Sequence, residues 1–60
     1  MKTINQYLDL CKQKFEDDHE YTNISKKESV DFIIDNAFFD GEISASIIDP
    51  LKYKIMNLIK

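Results

Sequence analysis

Apolar positions near the start of the chain repeat with the period of a helix. Ile4, Tyr7, Leu8, Cys11 and Phe15 fall on one stripe, with Leu10 to one side. Thr3 and Gln6 have the spacing of a capping box, in which a hydroxyl and an amide each satisfy a backbone donor at the helix start. Together they predict a helix over about residues 4–16. The period is lost over 17–24, and the polar run Asp17-Asp18-His19-Glu20 reads as a loop with Tyr21 and Ile24 as anchors.

A second capping box, Ser25 with Glu28, precedes the stripe Val30, Ile33, Ile34, Ala37 and Phe38. Asp40-Gly41 closes it, since glycine takes a left-handed cap without steric cost. A helix over 26–39 follows. Residues 42–48 are ambiguous: Ile43, Ala45 and Ile47 alternate like a strand, yet Ile43 and Ile47 also lie one helical turn apart. With no partner strand in sight, a short helical turn is the better reading. Asp49-Pro50 has the form of an N-cap followed by proline at the first helical position, and Leu51, Ile55, Leu58 and Ile59 supply a third stripe over 50–59. The expected fold is all-α: one domain over residues 1–60, a small three-helix bundle.

Sixty residues bury a modest core, and such scaffolds usually need a supplement. One cysteine excludes an internal disulfide and suits a reducing compartment. The N-terminus lacks the apolar run of a secretory signal, and no stretch approaches a membrane span, so a cytoplasmic protein without membrane contact is expected. Abundant Ile, Lys and Asn fit an AT-rich genome, such as that of a low-GC bacterium or its phage.

Net charge is −3, unevenly spread. Residues 28–49 hold Glu28, Asp31, Asp35, Asp40, Glu42 and Asp49 with no base among them, and the chain has no arginine. Arginine is the preferred residue for bidentate contacts to phosphates and bases, so nucleic acid is a disfavoured partner. Ala37, Gly41 and Ile47 do have helix-turn-helix spacing. Asp40 at an apolar position, Pro50 inside the would-be reading helix and the acids Glu42 and Asp49 argue against that motif. The segment from Asn36 to Ile47 also fails as a calcium loop, with Phe38 and Ile47 where oxygen ligands belong.

Catalytic chemistry has little to draw on. Cys11 lies on the core stripe, His19 stands in a charged segment, and no phosphate-binding glycine loop occurs. No metal site, no cofactor and no concave pocket of the usual size are expected.

The second helix carries the one unusual feature. At 100° per residue, Phe32 and Phe39 lie opposite its core stripe, with Asp31, Asp35 and Glu28 beside them. Either the helix is sandwiched and buries both faces, or an aromatic pair rimmed by acids is exposed as a contact patch. The second reading makes the chain a small acidic protein-binding module, an inhibitor or antirepressor of phage type that occupies a surface of a larger protein. Phe32 and Phe39 would be the anchors and Asp31, Asp35 and Glu28 the steering charges. The alternatives are a dimeric DNA-binding regulator using the last two helical segments and their lysines, and a structural subunit that forms a homodimer or larger homo-oligomer.

Overall fold

The computed structural model describes residues 1–22 and 25–59, without the side chains of 18–22. Three helices run in order: α1 (Ile4–Thr22), α2 (Lys26–Phe39) and α3 (Ala45–Leu58). α2 packs extensively on both neighbours, and α1 meets α3 more lightly. The expected all-α three-helix bundle is the fold observed.

The capping box acts in full at α1, and the Ser25 side-chain cap acts at α2. Thr3 N–H donates to Gln6 Oε1 at 2.8 Å, and Gln6 N–H donates to Thr3 Oγ1 at 3.1 Å. At α2, Glu28 N–H donates to Ser25 Oγ at 3.1 Å. The other end of α2 is a Schellman turn, in which Gly41 N–H reaches Phe38 O at 3.0 Å and Glu42 N–H reaches Ala37 O at 2.9 Å. Gly41 takes φ = +80°, which the turn requires.

The core is Tyr7 and Cys11 from α1, Val30, Ile34 and Ala37 from α2, Ile43 from the turn, Leu51 and Ile55 from α3, and Ile59 just beyond it. Ile4, Leu8, Ile33, Ile47 and Ile48 pack around it. Ser29 is also fully buried, and its hydroxyl donates to Ser25 O at 3.3 Å. Of the stripe residues, Phe38 and Leu58, each near a helix C-terminus, are exposed.

Three boundaries differ from the sequence reading. α1 continues through 17–22, where a loop was expected; residues 23–24, with Ile24, lie outside the described residues, as does the Tyr21 side chain. Loss of apolar period there does not end the helix, because nothing in 17–22 is glycine or proline. Next, α3 starts at Ala45 with Ser44 as N-cap, so Asp49 does not cap it and Pro50 is interior. Ile47, Leu51 and Ile55 sit at helical spacing, and they anchor the first turns of α3 to the core. Proline at position 50 removes the donor that would meet the Ser46 carbonyl, but both residues are exposed and water can serve it. Finally, residues 42–48 divide: Ile43 is buried within the turn, and 45–48 open α3.

Candidate functional site

α2 separates its residues by side. Ser29, Val30, Ile34 and Ala37 face inward and are buried. On the outward side Phe39 is 78% exposed and Phe32 50% exposed. Being central in the bundle does not bury both faces of α2, because its two neighbours cover adjacent sides and leave the third open. Phe32 and Phe39 are seven residues apart, about two turns and ~10 Å along the axis.

The two rings stand in different surroundings. Lys14 Nζ of α1 lies 4.0 Å from the Phe32 ring centroid, a cation–π contact that covers part of that ring. Phe39 stands beside Phe38, at 5.6 Å between centroids with planes tilted by 54°. The sequence pattern placed Phe38 on the core stripe. The structure puts it at the edge of the exposed patch, and the adjacent Phe38-Phe39 pair just before the Gly41 cap was the available signal.

The acids are not equivalent either. Lys52 Nζ of α3 lies 3.3 Å from Asp31 Oδ1 and 2.9 Å from Asp35 Oδ1, and Lys27 Nζ lies 2.9 Å from Asp31 Oδ2. The hydrogen bond from Lys27, with help from Lys52, holds the Asp31 carboxyl below its usual range. The same contacts, led by Asp35, raise Lys52. Asp31 and Asp35 would repel one another one turn apart on a bare helix. Here a shared lysine turns them into a tie between α2 and α3. Glu28 remains exposed on the outward side, and so does Asp40 at the C-cap.

A second polar cluster joins the chain start to the α2–α3 turn. Lys2 Nζ donates to Glu42 Oε1 at 2.7 Å, Tyr7 OH donates to the same oxygen at 3.5 Å, and Lys2 N–H donates to Tyr7 OH at 3.3 Å. The Tyr7 ring is buried, so Glu42 gives its hydroxyl the partner that burial demands. Glu42 is held below the ordinary carboxylate range chiefly by Lys2, and Lys2 is raised chiefly by Glu42.

Cys11 is wholly buried, and burial pushes its thiol up to about 11. A sulfur so placed is a packing atom. The His19 side chain lies outside the described residues. Among the described residues no group of His, Cys, Asp or Glu is arranged to hold a metal ion, and no helix is long and apolar enough to cross a membrane.

Comparison with protein-family models, with curated proteins and with solved structures finds no match for this chain.

Proposed function

We propose that this chain is a small, acidic, non-enzymatic protein-binding module. It docks on a larger protein through the outward side of α2. The observation that carries the reading is Phe39, 78% exposed beside Phe38, at a position the core does not need. Aromatic anchors with a polar rim are the usual composition of a contact hot spot. Phe39 leads, Phe32 supports it from beneath Lys14, and Glu28 and Asp40 form the rim. Asp31 and Asp35 serve mainly to position α2 against α3. A module of this kind acts by occupying a surface, as an inhibitor or antirepressor does.

Affinity capture with the wild-type and Phe39→Asp chains side by side tests the reading. A protein retained by the first after nuclease treatment, and lost with the second at unchanged helicity, is the expected result. Equal retention by both chains overturns it.

DNA binding has weaker support. The α2–turn–α3 unit has a short connection, and α3 accommodates Pro50, which removes one objection to a reading helix. Yet Lys52 is engaged by two aspartates, and the outward side of α3 carries the acid Asp49 as well as Lys54. Phosphate contacts need more base than this.

A further inference from the structure

α3 exposes large apolar side chains that the α2 reading leaves unused: Tyr53 at 72%, with Met56 and Leu58. Pro50, Tyr53, Lys54, Asn57 and Leu58 form an open, shallow and largely apolar surface on its outward side.

At 100° per residue, Ser46, Pro50, Tyr53 and Asn57 form the centre line of that side. Their alternating spacing of four and three is that of the seam of a two-stranded coiled coil. Asp49 and Met56 flank the line on one side, and Lys54 and Leu58 flank it on the other. Neither Asp49 nor Lys54 enters an ion pair among the described residues, whereas Lys52, on the inner side of the same helix, is paired twice.

The opposite flanks identify the occupant. A second α3 related by a two-fold axis parallel to the helix sets each flank against the other flank of its partner. Asp49 then meets the second copy's Lys54, Met56 approaches the second copy's Leu58, and the two Tyr53 rings pack on the seam. An antiparallel partner sets like flanks together and brings lysine towards lysine. In the parallel arrangement each seam residue meets its own copy, and Asn57 against Asn57 is a contact that fixes register in coiled coils. A chain of this size also gains most from such a supplement to its core.

We propose that α3 is a dimerisation helix whose outward side is covered by α3 of a second copy, parallel and about a two-fold axis. This surface is separate from the Phe39 patch, so the dimer would present two such patches.

Sedimentation equilibrium of the purified full chain, from the micromolar to the millimolar range, tests the proposal. A monomer–dimer equilibrium is expected, with Tyr53→Glu raising the dimer Kd by about tenfold or more at unchanged helicity. Lys54→Asp weakens the dimer, and adding Asp49→Lys to that variant restores it. Asn57→Cys cross-links to itself on oxidation, while the buried Cys11 does not. Should Tyr53→Glu lose helicity, the Lys54→Asp pair of variants decides alone, since both positions are exposed and polar. A monomer throughout, or a dimer indifferent to Tyr53→Glu and to Lys54→Asp, overturns the proposal. So does failure of Asn57→Cys to cross-link. Dispersal by Phe39→Asp in place of Tyr53→Glu also overturns it, by placing the second copy on α2.

Discussion

The inward and outward sides of α2 are both apolar, and the fold uses only one of them. Val30, Ile34 and Ala37 are buried between α1 and α3, while Phe39 is left open and Phe32 is covered only in part, by Lys14 of α1. Side-chain chemistry does not distinguish the two sets, since phenylalanine is as apolar as isoleucine. Position relative to the neighbouring helices does. An apolar residue on the inward side contributes to stability, and one on the outward side has a cost in solubility that the fold does not recover. On the proposed reading, such a residue makes sense through what it touches outside the chain.

The sharpest way to break this comparison is Ile34→Ala. Truncating a fully buried isoleucine should cost about 3 kcal/mol, a large share of the stability of so small a domain, and urea denaturation reads it directly. Next comes Gly41→Ala at the end of α2. A Cβ there meets nothing within 4 Å, so the expected cost of about 1 kcal/mol is that of left-handed backbone alone. A loss well above that would mean the turn also carries packing. Lys52→Met separates α2 from its electrostatic tie to α3 and leaves Asp31 facing Asp35. About 0.5–1 kcal/mol is expected, diminishing in high salt because the pair is partly exposed. Smallest is Phe39→Asp, with under about 0.5 kcal/mol on thermal unfolding despite loss of the proposed binding. A large destabilisation there would make Phe39 part of the core and collapse the distinction between the two sides.

Acid and alkali sharpen the same contrast. Asp31 and Glu42 have folded values below their unfolded ones, so their contribution is present above the ordinary carboxylate range and is lost as pH falls through the folded values. Lys2 and Lys52 are raised, so theirs is present below the ordinary lysine range and is lost as pH rises through the folded values. Thermal melts across pH should therefore show a plateau between the two. Lys2→Met and Lys52→Met should each flatten both edges.

Much of this fold was legible in the sequence because local signals and burial agreed. The capping pairs at Thr3 and Ser25, and the glycine after α2, each settle a backbone group within a few residues, so the chain states them locally. Asp49-Pro50 misleads because it satisfies a local rule that tertiary packing of Ile47 and Leu51 overrides. Exposure of Phe32 and Phe39 was a choice between two readings, because helical periodicity gives the angle of a residue and not the placement of neighbours. The ion pairing of Asp31 and Asp35 could not be seen at all. It depends on Lys52, far along the chain, arriving at the same side of α2.

Cys11 gives the bundle a built-in clock. Its sulfur is sealed among residues of the core. An alkylating reagent can reach it only when the helices part, and then reacts at the pace of an ordinary exposed thiol. Where closing outruns labelling, the ratio of the two rates is the opening equilibrium itself. The one thiol thus reports the stability of the intact chain under native conditions, with no denaturant and no added probe.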